Sequence, residues 1–298
     1  MWIALAASLL FAPPPPPPKP AVDPLATLAE QTKWVETGRY DEVQRLCAEF
    51  QTAFPGKATC QEFARTPEGR PMLVLIASAD GVLDAAAAKA AKRPVVLFQG
   101  GIHAGEIDGK DAGFLALREI LQGKAGNGVL EKVTAVFVPV FNVDGHERFG
   151  RNNRPNQVGP KEMGWRTTSQ NLNLNRDYAK ADAPEMRAML KLLGEWDPIV
   201  YLDLHVTDGA KFRHGIAFLV EPTLQGAPEL LPLAKEFREE VLRKLDKAGH
   251  LPIGDFYPSF ETDDDPASGF AVYAAPPRFS GSWSASPPCA CAATTWPS

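Results

Sequence analysis

Three short, continuously apolar runs separated by amphipathic segments constrain the fold of this chain most. The runs are PVVLF (94–98), VTAVFVPVF (133–141) and PIVYLDL (198–204). Runs of this length without alternation are typical of strands buried on both faces. Between them, residues 111–121 and 183–196 have helical periodicity. The pattern predicts a single α/β domain, with a mixed, mostly parallel central sheet and helices on both faces.

The flanking sequence fits around this pattern. Residues 23–54 have helical periodicity and end at Pro55-Gly56, and residues 58–78 predict a β-hairpin with the polar turn TPEGR. A long polar stretch, residues 144–175, has little periodicity, and loops of that length in compact domains are usually functional or disordered. No internal repeat and no second-domain boundary is visible, so residues 23–280 are predicted to form one domain.

Composition argues against two classes of partner. The chain of 298 residues is 45% hydrophobic and 22% charged, with a formal net charge of -5 and a pI near 5.6. A nucleic-acid-binding protein would instead carry a basic stripe. No apolar run reaches the roughly 18 residues that cross a bilayer. We therefore expect neither a nucleic-acid partner nor a membrane span, and we expect a monomer.

The first residues are predicted to lie outside the folded domain. Residues 1–12 form an apolar segment of signal-peptide length that ends in a small residue, although the usual basic residues are missing. Residues 13–22 are then a stiff proline-rich spacer. This interpretation predicts a secreted or periplasmic protein. If the segment is only a frayed hydrophobic tail, the protein is cytoplasmic.

The four cysteines fall into two pairs, Cys47 with Cys60 and Cys289 with Cys291. In an exported protein the first pair could form a disulfide between a helix and the following strand, and two buried thiols are the alternative. Neither pair has histidine partners at zinc-finger spacing, which argues against a structural zinc site.

Two histidines and a glutamate follow the predicted strands. His103 and Glu106 come after the first strand in GGIHAGE, and His205 follows the third. Ligands of open α/β sheets bind at the carboxyl ends of strands. Two imidazoles and one carboxylate leave a fourth zinc position open to water, as catalytic zinc requires. A His-x-x-Glu motif also arises by chance, and a lone histidine is usually a packing residue. The prediction of one bound Zn²⁺ therefore rests on the placement of all three residues at the ends of predicted strands.

The polar stretch adds groups that recognise carboxylates. The segment GWRTTSQNLNLNRDY (164–178) contains Arg166, Asn175 and Arg176. Arginine binds carboxylates with a bidentate fork, and amide side chains supplement it. A solvated surface is the alternative, but Trp165 and the spaced leucines suggest an ordered loop pinned to the sheet.

Together these motifs resemble the zinc carboxypeptidases of the metallocarboxypeptidase (M14) family. EGRPMLVL, GGIHAGE, VFNVDG, GWRTT, NLNRDY and YLDLH follow one another in the family's order, within residues 40–278. The family's usual Asn-Pro-Asp-Gly is Asn-Val-Asp-Gly here. The resemblance implies a zinc-dependent hydrolase that cleaves C-terminal residues from peptides with a free carboxylate.

The resemblance also implies a role for each site residue. It implies zinc ligation by His103, Glu106 and His205. Arg166 would polarise the scissile carbonyl, and the Asn-Arg pair at 175–176 would bind the terminal carboxylate of the substrate. Zinc would activate a water molecule, while a separate glutamate accepts its proton and passes it to the leaving amine.

That separate glutamate is missing from the expected place. The family has it on a late apolar strand, after the segment matched by YAAPPRFS (273–280), whereas residues 281–298 read GSWSASPPCACAATTWPS. The last glutamate, Glu261, has a loop-like context. The tail is predicted to form no element that packs, and it is either divergent or translated out of frame. The sequence thus predicts an incomplete domain that lacks its last strand or strands and is inactive as it stands.

Two other functions remain open. A deacylase or amidase acting on small acyl-amino acids would keep the zinc ligands and also favours Asp-Leu-His, but the match through NVDG and GWRT favours the peptidase. A non-catalytic module would bind zinc and peptides without turnover. Zinc titration with free and C-terminally blocked peptides separates the three.

Overall fold

The computed structural model describes residues 23–155, 157–206, 214–220 and 228–254, together with the backbone of residues 289–295. The strands in this part of the chain are β1 Ala58–Arg65, β2 Pro71–Ala77, β3 Val95–Gln99, β4 Thr134–Val138, β5 Val200–Val206, β6 Ile216–Val220, β7 Pro252–Ile253 and β8 Cys289–Thr295. The helices are α1 Leu28–Gln31, α2 Tyr40–Ala53, α3 Ala85–Ala90, α4 Asp108–Leu121, α5 Val143–Glu147, α6 Pro184–Trp196 and α7 Leu230–Lys247. Short 3₁₀ helices span Gly126–Glu131 and Leu174–Arg176.

All of these described strands form one mixed sheet, in the order β1-β2-β4-β3-β5-β8-β6-β7. β3 is parallel to β4 and β5, β5 is parallel to β8, and β6 is parallel to β7. The β1–β2, β2–β4 and β6–β8 pairs are antiparallel. Phe50 of α2 contacts Phe114 of α4, with ring centroids 5.8 Å apart, and α3 packs on α6. The architecture confirms the predicted α/β class with its mixed sheet and packed helices.

The carboxyl ends of β3 and β4 are tied together where the predicted site begins. β4 ends at Val138, earlier than the apolar run predicts, because Pro139 has no N–H for the ladder. The chain then turns, and the backbone N–H groups of Phe141 and Asn142 donate to the carbonyls of Gly100 and Gly101, at 2.9 and 3.0 Å. The loops that follow the two strands are therefore held against each other.

Three predicted element boundaries differ from the structure. The first N-terminal helix is a single turn, because Lys33 and Trp34 take positive φ values and the Glu36 N–H bonds to the Thr32 hydroxyl instead of a helical carbonyl. α4 begins at Asp108 rather than at residue 111. β5 continues through His205 to Val206, so this histidine lies within the strand.

A disulfide joins Cys47 of α2 to Cys60 of β1, which decides between the two alternatives left open by the sequence. Cys47 is fully buried in the main hydrophobic core, beside residues of β2, β3 and β4. None of the described helices is long and apolar enough to cross a membrane.

The tail enters the sheet as a backbone strand. β8 lies between β5 and β6, with Thr294 opposite His205 in parallel register. The prediction that this tail forms no packing element is therefore wrong for residues 289–295. Ladder hydrogen bonds use main-chain groups that every non-proline residue carries, so composition alone does not exclude a strand. The predicted signal segment 1–12, the spacer 13–22 and Glu261 lie outside the described residues.

Candidate metal centre

His103 and Glu106 lie in the loop that links β3 to α4. Gly101 has φ +63°, a conformation that glycine adopts without steric cost, and it turns the chain away from the strand. The Glu106 N–H then donates to the His103 carbonyl at 2.8 Å, which closes one turn of backbone. Both side chains are nearly fully buried, with exposed fractions of 4% and 3%.

His205 reaches the same point from the neighbouring strand. β5 is parallel to β3, and Gln99 at the end of β3 is the register partner of Asp203. His205 follows two residues later, beside the loop. One ligand atom from each of His103, Glu106 and His205 lies within 4.8 Å of the others. The structure therefore brings together the three residues that the sequence predicts as metal ligands.

His205 lies between two carboxylates. Its Nδ1 is 2.9 Å from Glu106 Oε2, and its Nε2 is 2.9 Å from Asp203 Oδ2. Burial lowers the pKa of this imidazole, but the charges and hydrogen bonds of both carboxylates outweigh burial and raise it to about 10. Burial raises the pKa of Glu106, yet the hydrogen bond and charge of His205 bring it to about 2. Glu106 is thus an anionic oxygen ligand at neutral pH.

His103 is a neutral base. Burial lowers its pKa to about 3, against the opposing pull of Glu106. Its Nε2 is 3.1 Å from the Asn175 side-chain amide, whereas its buried Nδ1 has no hydrogen-bond partner among the described residues. A neutral imidazole beside an ionised carboxylate and a second imidazole is the donor set that zinc prefers. The residues present therefore fit the metal.

Arg166, predicted to polarise the scissile carbonyl, and the predicted substrate-binding residues Asn175 and Arg176 lie at different depths around these ligands. Arg166 is half-buried, and its Nη1 lies 3.9 Å from Glu106 Oε1. Arg176 is exposed and donates from Nη1 to the Asn175 carbonyl at 2.7 Å. Asn175 is buried against His103. Trp165 does not pin the loop as predicted, because 42% of it is exposed.

A clamp formed by Asn142 and Gly145 holds the Arg166 backbone. The Asn142 side chain accepts from the Gly145 N–H at 3.0 Å and donates to the Arg166 carbonyl at 3.1 Å. The Gly145 carbonyl accepts from the Trp165 N–H at 2.7 Å. A Cβ on Gly145 would lie 2.6 Å from the Thr167 carbonyl oxygen, so this close approach requires glycine.

Two residues of the site were missed by sequence reasoning. Arg154 is nearly fully buried and donates from Nη2 to Glu106 Oε1 at 2.8 Å. Arg154 lies in the long polar stretch, residues 144–175, where no periodicity indicates which arginine is buried. Asp203 could have been found, since residues two apart on a strand share a face and Asp203 stands two before His205.

Comparison with known proteins relates this fold and site to one family. A family model described as zinc carboxypeptidase matches residues 43–215, more than half of the chain. Carboxypeptidase B of Helicoverpa zea is 29% identical over 128 residues, which cover 41% of this chain and 28% of that protein.

Solved structures show the same fold at low identity. Carboxypeptidase A from Helicoverpa armigera has a TM-score of 0.56 at 19% identity, covering 73% of this chain and 56% of that one. A putative carboxypeptidase A from Shewanella denitrificans OS-217 has a TM-score of 0.60 at 16% identity, covering 86% and 59%. The chain therefore spans just over half the length of these carboxypeptidases.

Proposed function

Because this chain belongs to the zinc carboxypeptidase family, we propose that it is a zinc-dependent hydrolase acting on the carboxyl terminus of peptides. The observation that carries the proposal is the meeting of His103, Glu106 and His205 within 4.8 Å. In the same place, the buried Nδ1 of His103 lacks a hydrogen-bond partner among the described residues. A buried ring nitrogen without a partner is costly, and metal ligation by the neutral imidazole would compensate it.

The three ligands are prepared for a metal to different degrees. His103 is already neutral and Glu106 is already ionised, so neither has to change its protonation state. His205 has to release the proton on Nδ1, which faces Glu106 Oε2. When bound, zinc lowers the pKa of its water and polarises a carbonyl oxygen.

The arginines support a substrate with a free carboxylate. Arg166 lies next to Glu106, where its guanidinium would stabilise negative charge that develops on a scissile carbonyl oxygen. Arg176 presents an exposed guanidinium directly after Asn175, which contacts His103. A carboxylate bound by Arg176 would therefore lie next to Asn175, the residue that contacts the proposed ligand His103.

None of the described residues is assigned the role of general base, which accepts the proton of the attacking water. Glu106 is taken as a ligand, and the described glutamates after His205 lie in α7 or directly before it. Glu221 and Glu261 lie outside the described residues. General acid–base catalysis contributes roughly 10²–10⁴ in rate. Without such a base, the chain would still bind zinc and peptides but would hydrolyse peptides more slowly by about that factor.

The disulfide supports an oxidising compartment, outside the cytosol, for this protein. Thiols of cytosolic proteins are kept reduced, whereas exported proteins keep structural disulfides. The Cys47–Cys60 bond and the apolar segment 1–12 together support secretion or a periplasmic location.

Zinc and peptide binding test the proposal directly. We expect one zinc ion per chain by metal analysis, and loss of that ion in His103→Ala. His250→Ala, which changes an exposed histidine beyond α7, is the matched control and should keep the ion. A wild-type chain that binds no zinc would contradict the proposed function.

A matched pair of peptides, one with a free carboxylate and one amidated, tests the substrate class. We expect the zinc-loaded protein to bind the free acid more tightly. Arg176→Ala should remove the difference, while Arg243→Ala, on the exposed face of α7, should keep it. Equal binding of both peptides by the wild type would remove the proposed role of Asn175 and Arg176. Preferred hydrolysis of small acyl-amino acids would instead identify a deacylase, and binding without hydrolysis a non-catalytic module.

A further inference from the structure

Asp203 is a buried carboxylate that the proposed metal site does not use as a ligand. Only 6% of it is exposed, and its Oδ2 lies 2.9 Å from Nε2 of His205. The opposite nitrogen of the same ring, Nδ1, faces Glu106 and the side of His103. The imidazole thus separates Asp203 from the ligand atoms.

The partners of Asp203 differ from those of Asp144 and Asp177, two other buried aspartates among the described residues. Asp144 accepts from two hydroxyls, a guanidinium and a backbone N–H, and Asp177 accepts from two backbone N–H groups. Among the described residues, Asp203 has His205 as its hydrogen-bond partner, and its Oδ1 has none. Desolvating a carboxylate costs several kcal/mol unless partners compensate. Asp203 therefore depends on His205 for its compensation more than Asp144 and Asp177 depend on any single donor.

The surrounding network does not compete for Asp203. Gln99, its register partner on β3, donates from Nε2 to the Tyr178 hydroxyl at 3.2 Å, and that hydroxyl lies 2.5 Å from the Tyr201 hydroxyl. The hydrogen bonds of these side chains join them to one another and not to Asp203. Asp203 and His205 stand two residues apart on β5, so the strand presents both side chains on one face.

From these contacts we propose that Asp203 is a positioning residue for the metal ligand His205. It accepts the Nε2–H of the ring, which fixes the tautomer with the proton on Nε2 and leaves the Nδ1 lone pair for the metal. This inference rests on the proposed zinc site. A carboxylate behind a ligating imidazole also raises its basicity as a ligand. His103 has the neutral side-chain amide of Asn175 beside its Nε2 instead of a carboxylate.

Zinc affinity, measured by competition with a chromophoric chelator, tests this role. We expect Asp203→Asn to bind zinc about 10-fold more weakly and Asp203→Ala up to about 100-fold more weakly, the range for partners of metal ligands. Asp80→Asn is the matched control. It removes one aspartate charge near Arg93, before β3 begins and at the opposite end of that strand from the site, and should leave affinity unchanged.

Spectroscopy separates positioning from a general effect on folding. In the zinc-loaded wild type, ¹⁵N-edited NMR should show His205 protonated on Nε2, with a downfield proton resonance that moves upfield in Asp203→Asn. The visible spectrum of the cobalt-substituted protein should change in the same variant. The wild-type NMR measurement needs no variant, so it decides the question even if Asp203→Ala does not fold.

The failures are distinguishable. If the wild type binds zinc and His205 carries its proton on Nδ1, the inference is wrong while the proposed function stands. Equal zinc affinities and equal cobalt spectra for the wild type and Asp203→Asn would also show that Asp203 does not position His205, and would leave the proposed function intact. If the wild type binds no zinc at all, the proposed function itself fails.

Discussion

His146 is a fully buried histidine outside the metal site whose protonation the fold disfavours. Burial lowers its pKa from the ordinary 6.5 to about 4, although Glu147 Oε1, 3.2 Å from Nδ1, pulls in the opposite direction. The charges of Lys110 and Arg39 add to the lowering. Its Nε2 has no hydrogen-bond partner among the described residues. A proton on this ring would leave a buried, partly compensated charge.

This histidine should make the protein less stable in mild acid. Between pH 6.5 and 4 the unfolded chain binds a proton that the folded chain does not, so the free energy of unfolding falls as pH decreases. From pH 7 to pH 5 the loss due to His146 is about 2 kcal/mol. Urea unfolding of wild type and His146→Asn at both pH values measures it, because asparagine does not titrate.

The comparison between variants is needed because another buried group acts in the opposite direction. Burial raises the pKa of Asp111 to about 6 against the charge of Lys110, so the folded state gains a proton there as pH decreases. That contribution is common to both proteins and cancels. His250→Asn, at an exposed histidine, should show the wild-type pH dependence. An equal pH dependence in His146→Asn would contradict the prediction.

At the scale of elements, the Asn-Val-Asp-Gly motif (142–145) fixes the position of Arg166. It does so through the clamp between α5 and the loop before Leu174–Arg176. Asn142 is fully buried, caps α5 by accepting from the Gly145 N–H, and donates across to the Arg166 carbonyl. Asn142→Ala removes both, so we expect a loss of about 1–3 kcal/mol in the free energy of unfolding. Asn152→Ala, at an exposed position in the same polar stretch, should change it by less than about 0.5 kcal/mol. Equal denaturation midpoints for the two variants would mean that the clamp does not hold the loop.

The disulfide between α2 and β1 should stabilise the amino-terminal part of the sheet. It closes a loop with a sequence separation of 13, and chain entropy assigns such a crosslink about 3 kcal/mol. We expect the double variant Cys47→Ser, Cys60→Ser to lose about that much in denaturant unfolding. Adding reductant should destabilise the wild type and leave the double variant unchanged. A wild type that is insensitive to reductant while its thiols titrate as free would contradict this.

The elements could be predicted where one local signal dominates. The β-hairpin was predictable because the polar turn TPEGR precedes the apolar run of the second strand, and β3 because its first four residues are apolar. Boundaries were less accurate where tertiary hydrogen bonds decide them. β5 extends through His205 because it pairs along its length with β8, and nothing in the composition of residues 289–295 indicates that pairing.

At the scale of the molecule, the three ligands could be predicted because topology brings them together. Glu106 and His205 are 99 residues apart in sequence, yet β3 and β5 are adjacent and parallel, so their carboxyl ends meet. The contact of Asn175 with His103 could not be predicted in the same way. It depends on how an irregular loop of some thirty residues packs, and such loops have no period from which to infer a face.

This separation in sequence has a consequence for stability. The ligands are close only in the folded state, because in the unfolded chain the loop after β3 and the strand β5 are independent. A metal that binds the folded state alone stabilises it by about 2.7 kcal/mol when its free concentration is 100 times the dissociation constant. We therefore expect the melting temperature to rise with zinc and to fall when EDTA removes it.

Two controls, magnesium in place of zinc and the variant His205→Ala, test whether the rise in melting temperature is due to zinc at the proposed site. Magnesium prefers oxygen ligands and should not replace zinc at a site with two imidazoles. His205→Ala should melt at the same temperature with zinc and with EDTA, whereas Asp80→Asn should keep the wild-type shift. A shift of equal size in His205→Ala would mean that zinc binds elsewhere on the folded chain. No shift in the wild type would mean that zinc does not join the β3 loop to β5, and the site would then have to be read as a hydrogen-bonded cluster around His205.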